Sequence, residues 1–353
     1  MNLTTAEIDV LVSEVGPRDG LQSIRQVMPT AAKHRWIAAL AGAGLREIEV
    51  GSFVSPKLLP QMADAEEVVR EAIRIPGLTV LALAPNLKGS ERAIAAGVHK
   101  VTMPVSASRA HSMANIHRTP EQAIDQVRSV TELRDSLPPG SRPSIEIGIS
   151  TAFGCSIEGP VSEDWVFQMV ALLLDAGADS VGLSDSTGYA NPRQVKRMFE
   201  RLRREAGEKA GAAHFHNTRG QGLANVVAAL DAGVVTFDAS QGGIGGCPYA
   251  PGATGNIVTE DLVFLLEATG LRTGIDLEML IEAREIIRQA LPGEAIYGYL
   301  PDAGLPRGFV YACGKQPVKS PTGPSNLSFA GSLPQPDSTS LASDCASTCR
   351  RKD

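Results

Sequence analysis

Arg18 and Asp19 lie in Gly16-Pro17-Arg18-Asp19-Gly20, a turn that ends the apolar run of Val10, Leu11, Val12 and Val15. A cation beside an anion at the end of a strand is where α/β barrels keep their chemistry; an incidental surface ion pair is the plainer alternative. Some two hundred residues later comes His214-Phe215-His216. In a strand that spacing puts both imidazoles on one face and turns Phe215 to the other. Two imidazoles on one face suit a divalent metal, with a packed or surface pair as the alternative. Asp19 can add a hard oxygen, and Asn256 a neutral amide oxygen from the turn that starts the last barrel helix. A set of two His, one Asp and one Asn with positions left for water fits Mg²⁺ or Mn²⁺ better than a structural zinc, which favours thiolates.

The stretch from Gln241 to Gly252 holds five glycines around Cys247 and lacks the Lys-Ser/Thr of a phosphate loop. It reads as too glycine-rich for packing alone, a mobile flap whose thiol moves a proton at the reaction centre. Glu49 and Asp185, each ending a strand, project towards the same mouth, as ligands themselves or as carboxylates that orient Arg18 or a ligand histidine. Glu260 opens a helix, where an acid complements the helix dipole. His34, His99 and His117 read as structural, and His111 falls among serines.

Elements able to position these groups are legible in the pattern. Short β-branched runs alternate with helical ones from Val10 to about Gly270, the signature of repeated βα units on a parallel sheet. Strands are expected near Val10 to Val15, Glu47 to Val50, Thr79 to Ala82, Lys100 to Met103, Ser144 to Ile149, Ser180 to Leu183, Ala213 to Phe215 and Val235 to Asp238. The clearest helices run from Ala32 to Ala41, Ala65 to Ile73, Glu121 to Arg134, Trp165 to Asp175, Pro192 to Arg204 and Leu223 to Asp231. Ala-Gly pairs at 43–44, 96–97, 176–177 and 232–233 each precede a strand, with glycine suited to a left-handed helix C-cap. Eight such units in about 260 residues match an α/β fold of the (β/α)₈ TIM-barrel type. The glycine fingerprint of a dinucleotide-binding open sheet is missing.

Residues 1–295 therefore read as the barrel with one extra helix, Asp276 to Ala290. Residues 296–316 read as an ordered extension and 317–353 as a disordered tail rich in Ser, Pro, Thr and Gly. The chain has 353 residues, 43% of them hydrophobic, and a formal charge of -6 without basic blocks. That balance excludes a nucleic-acid or anionic-membrane surface and favours small-molecule partners. No apolar run or N-terminal leader pattern marks a membrane or secretory route, so a cytoplasmic setting is expected, with homodimerisation as the commonest assembly. Cys155, Cys247, Cys313, Cys345 and Cys349 form no disulfide framework, and those in the tail carry no expected role.

Taken together, Glu14 to Gln22, Ile48 to Lys57, Thr254-Gly255-Asn256 and the glycine loop resemble the 3-hydroxy-3-methylglutaryl-CoA lyases and their metal-dependent TIM-barrel relatives, from about Val12 to Ala290. The resemblance implies metal ligands at Asp19, His214, His216 and Asn256, an enolate-stabilising Arg18, a proton-donating Cys247, and acidic site residues at Glu49 and Asp185. Less directly, it implies contacts of Ser106, Ser108 and Asn115, in the loop after the fourth strand, with the CoA part of an acyl-CoA substrate. The implied reaction is retro-Claisen cleavage of hydroxymethylglutaryl-CoA to acetoacetate and acetyl-CoA. Three departures bear on substrate: Asn217-Thr218-Arg219 where Asp-Thr-Tyr is usual, Val50-Gly51 for Thr-Thr, and Thr151 for a cysteine. Arg219, as an added cation near the metal, would allow a citramalyl-CoA or other 3-hydroxyacyl-CoA lyase instead. A Claisen-type synthase ranks below, since only about sixty residues follow Ala290 where synthases carry a long further domain.

Overall fold

Eight parallel strands close into a barrel in sequence order in the computed structural model, which describes residues 8–245 and 255–317. The strands are β1 (Leu11–Glu14), β2 (Glu47–Ser52), β3 (Thr79–Leu83), β4 (Lys100–Ser106), β5 (Ser144–Ser150), β6 (Ser180–Asp185), β7 (Ala210–Phe215) and β8 (Thr236–Ala239). All eight expected strands are present, and β1 closes the barrel by pairing with both β2 and β8. The expected end of β2 falls short because the β2–β3 register shifts between Glu49 and Gly51, a bulge that carries the strand on to Ser52.

Helices α1 (Thr30–Gly42), α2 (Ala65–Ala72), α3 (Leu87–Ala96), α4 (Arg109–Ile116), α5 (Pro120–Ser136), α6 (Glu163–Asp175), α7 (Pro192–Ala206), α8 (Gly222–Asp231) and α9 (Thr259–Ala268) follow the strands. Then come α10 (Leu277–Ala290) and the short α11 (Tyr299–Ala303). Sequence places their starts well: Asn86, Ser108, Thr119, Ser162, Asn191 and Asp276 each accept a backbone N–H at a helix N-terminus. All four Ala-Gly glycines adopt positive φ, between 84° and 108°, turning each helix into its strand. The core lies between strands and helices. There the Phe215 ring packs on Phe153 and Phe199, each at a centroid distance of 6.2 Å, so β7 is anchored by its outward face.

Residues 296–316 lie against α9, where the Asp261 carboxylate accepts the amides of Tyr299 and Leu300, and Glu267 accepts that of Ala312. Cys247 with its glycines 246 and 252, and the tail from 318, fall outside the described residues. Among the described residues no helix is long and apolar enough to cross a membrane.

Candidate active site

The β1 run ends because Val15 C=O accepts the N–H groups of Arg18, Asp19 and Gly20 together, winding Gly16–Gly20 into a single wide turn. Arg18 and Asp19 leave this turn into a cavity at the C-terminal end of the strands. Its wall includes Glu49, Thr102, His111, Asn115, Ser184, Ser186, His214, His216 and Asp238. The Arg18 guanidinium is held from two sides, by Asp19 Oδ1 on Nη1 at 2.7 Å and by Glu49 Oε2 on Nε and Nη2 at 2.5 Å. Thr102 donates to the other Glu49 oxygen. Glu49 thus fixes the direction of Arg18 and is itself fixed; burial raises its carboxyl above the ordinary range against the pull of Arg18.

Period-two alternation in β7 brings His214 and His216 to one inner face, with Nε2 atoms 3.1 Å apart. Asp19 joins them, Oδ2 lying 4.0 Å from His214 Nε2, and one donor atom from each of the three residues lies within 4.8 Å of the others. Asn256 arrives from the far end of the chain through a bridge to His216, and its Nδ2 donates to Asp19 Oδ2 at 2.7 Å. Burial, then the neighbouring His214, lowers the His216 pKa to about 3. Burial would likewise lower His214, but Asp238 and Asp19 outweigh it and raise that imidazole. Asp19, despite burial, is held well below the usual carboxylate range by Arg18 and the two imidazoles. The donor set fits a hard divalent cation: an ionised carboxylate, a neutral imidazole, and the buried Asn256 Oδ1, which has no hydrogen-bond partner among the described residues.

Asp238 is the residue that sequence reasoning missed. It sits opposite His214 in the β7–β8 register, and its Oδ2 lies 3.0 Å from His214 Nδ1, the contact that leaves Nε2 for the cavity. No local pattern pairs the two residues, since the contact depends on the register between β7 and β8.

Asp185 goes elsewhere than the other acids. Buried, it accepts the amides of Tyr189 and Ala190 at 2.8 and 3.0 Å and shapes the turn after β6. The residues after β4 are helical rather than loop from Arg109 onward, so Asn115 reaches the cavity from α4. Ser108 caps that helix, and Ser106 Oγ lies 2.7 Å from Nδ1 of the buried His111 on the cavity wall. Glu260 is fully buried, paired with Arg284 at 2.5 Å, instead of standing as a solvated helix charge.

The substrate-related departures largely face away. Arg219 is exposed, donates to the carbonyls of Thr187 and Gly188, and stacks over Tyr189 at 4.8 Å. That corrects the expectation of a free cation near the metal, because the carbonyls of the β6 turn claim it. Val50 is buried in the core, and a Cβ on Gly51 would meet Ala65 of α2 at 3.2 Å, so this pair packs outward. Thr151 accepts the Ser108 amide and so positions α4. At the stem of the glycine loop a Cβ on Gly245 would come within 2.7 Å of Gly20 Cα, so close backbone packing on the β1 turn requires glycine there.

The chain is similar to known proteins over most of its length. The chain is 39% identical over 290 residues to the mitochondrial hydroxymethylglutaryl-CoA lyase of Macaca fascicularis, covering 82% of this chain and 88% of that one. It is 42% identical over 275 residues to the hydroxymethylglutaryl-CoA lyase of Pseudomonas mevalonii, covering 77% and 89%. A solved HMG-CoA lyase from Acinetobacter baumannii, in complex with coenzyme A and 3-methylmalate, superposes with a TM-score of 0.79 at 40% identity, covering 86% of this chain and 97% of that one. With the HMGL-like family model matching residues 9–287 across the whole barrel, the chain belongs to the HMGL-like family.

Proposed function

We propose that the protein is a hydroxymethylglutaryl-CoA lyase, cleaving 3-hydroxy-3-methylglutaryl-CoA to acetoacetate and acetyl-CoA with Mg²⁺ or Mn²⁺. The observation that carries the reading is the meeting of Asp19, His214 and His216 beside Arg18 in one cavity. Relatives named for this reaction at about 40% identity support it, and the coenzyme A complex of a similar enzyme supports an acyl-CoA substrate.

Asp19, His214, His216 and Asn256 would hold the ion. When bound, it acidifies the C3 hydroxyl of the substrate and fixes the chelated acyl group. Either Asp19 or His214 is assigned as the base that takes the hydroxyl proton. As the C2–C3 bond breaks, its electron pair becomes the enolate of acetyl-CoA, and C3 becomes the ketone of acetoacetate. Arg18, held by Glu49, faces the developing oxyanion of that enolate. Cys247 is assigned the proton delivered to the enolate carbon, so hydroxyl proton lost and carbon proton gained balance. Asn115 on the cavity wall is assigned to the CoA arm, with Ser106 and Ser108 supporting α4. Asp185 acts through the β6 turn.

The test is a panel of hydroxymethylglutaryl-CoA, citramalyl-CoA and other 3-hydroxyacyl-CoA esters, with products identified by mass spectrometry. Release of acetoacetate and acetyl-CoA from the first ester, abolished by EDTA and restored by Mn²⁺, is the expected result. Turnover confined to another ester would replace the substrate, and condensation without cleavage would make the protein a synthase. Asp238→Asn should keep the fold and weaken Mn²⁺ binding roughly 10- to 100-fold, because the second nitrogen of His214 loses its anionic partner. Isothermal titration calorimetry reads this, and unchanged affinity would remove Asp238 from the site.

A further inference from the structure

Glu14 lies on the outward side of β1, fully buried, and lines no part of the cavity. Apolar side chains are the rule on that side of a barrel strand, so a carboxylate there calls for a reason. Its three partners come from the turn after β1 and from the two ends of the β8–α9 connection. Oε1 accepts the amides of Gly16 and Gln241, each at 2.8 Å, and Oε2 accepts the Thr259 hydroxyl at 2.6 Å.

Gly16 opens the turn that carries Arg18 and Asp19. Gln241 roots the loop after β8 and is itself fixed by Trp36 Nε1 on Oε1 at 2.6 Å and by its own Nε2 on the Leu280 carbonyl at 2.5 Å. Thr259 begins α9, three residues after Asn256. The turn closes directly on the carboxylate, since a Cβ on Gly16 would stand 2.5 Å from Glu14 Oε1. Burial pushes the Glu14 carboxyl up to about 8 against the three hydrogen bonds, so the position is held at an electrostatic cost.

We infer that Glu14 is a positioning residue that locks the Asp19 turn in register with the Asn256 segment, so that ligands 237 positions apart in sequence meet already arranged. The inference rests on the reading that Asp19 and Asn256 hold an ion. One oxygen of the carboxyl takes the two donor-only amides of Gly16 and Gln241 and the other takes the Thr259 hydroxyl; Gln would turn its N–H₂ towards one of these partners and at best force the Thr259 hydroxyl to reverse. Glu14→Gln therefore keeps volume and loses part of the lock.

The experiment is hydrogen–deuterium exchange with mass spectrometry on wild type and Glu14→Gln, alongside Mn²⁺ titration calorimetry. Residues 16–20 and 255–259 should exchange together, about ten-fold faster or more, while β3 to β6 stay as in wild type. The Mn²⁺ dissociation constant should rise roughly 10- to 100-fold, and kcat should fall more than KM rises. Should Glu14→Gln not fold, Thr259→Val removes a single bond and must still speed exchange at 16–20, which Thr259 reaches through the carboxylate. Wild-type exchange at 16–20 in the folded variant, or uniform acceleration of all strands with unchanged Mn²⁺ affinity, overturns the inference. A wild-type chain that binds no Mn²⁺ refutes the metal reading instead, and the exchange data still decide whether Glu14 couples the two segments.

Discussion

Arg18→Gln should lower kcat on hydroxymethylglutaryl-CoA by roughly 10²- to 10³-fold, the loss typical of a donor aimed at a developing oxyanion. Glutamine keeps a donor of shorter reach but not the charge, and Glu49 and Asp19, now without their shared cation, would draw its amide back to the wall. Metal binding should survive: Arg18 competes with a cation for Asp19 Oδ1 at 2.7 Å, so its removal leaves Mn²⁺ affinity equal or tighter. The effect belongs to the enolate, which gives a sharper readout than turnover. Acetyl-CoA incubated with enzyme and Mn²⁺ in D₂O should exchange its methyl protons with wild type, and the variant should lose that exchange in proportion to kcat. A variant within ten-fold of wild type in both assays would take Arg18 out of the chemistry. Glu49→Gln should lie between the two, because it frees the direction of the guanidinium and not its charge.

The parts that were legible in the sequence share a physical cause: they are written in local periodicity. Two histidines with one residue between them declare a shared strand face, and Phe215 between them declares the core side. Ala-Gly pairs announce left-handed caps because few other residues take that backbone cheaply. Long-range register has no such local code. Asp238 became visible only once β7 and β8 were aligned, placing it opposite His214. Arg219 reads as a cation next to the metal histidines, yet its side chain is drawn by the carbonyls at 187 and 188, thirty-odd residues away in sequence. Asp185 and Glu49 read alike as acids at strand ends. One is taken up by the amides of its own turn, while the other meets an arginine from a different strand. The glycines at the root of the loop after β8 signal close backbone approach as readily as mobility, and at Gly245 the partner is Gly20.

Arg284→Met should be the most destabilising change outside the cavity, at about 3–5 kcal/mol, because it leaves the Glu260 carboxylate buried without its cation. Both partners are sealed, with side chains 2% and 0% exposed, so solvent cannot replace the arginine. Besides Glu260, Arg284 donates to the Tyr297 carbonyl at 2.9 Å, while Glu260 Oε2 accepts the Gly242 amide at 3.1 Å and Tyr297 donates to the Gly242 carbonyl at 2.7 Å. One ion pair therefore ties α9, α10, the C-terminal extension and the stem of the glycine loop, and activity should fall with stability. The pH dependence has a definite sign. Burial already raises the Glu260 pKa, with Arg284 opposing the rise, so the variant raises it further. In the window between the unfolded carboxylate value and the folded one, the folded variant binds more protons than the unfolded chain, and its stability falls as pH rises. The penalty should thus be relieved at or below the unfolded value, near pH 4.5, and grow towards neutrality until the folded value is passed. Urea denaturation from pH 5 to pH 8 measures it. The double variant Glu260→Gln with Arg284→Met removes the stranded charge and should be more stable than Arg284→Met alone at neutral pH; a double variant equally unstable would mean that lost packing, not the unpaired carboxylate, sets the cost.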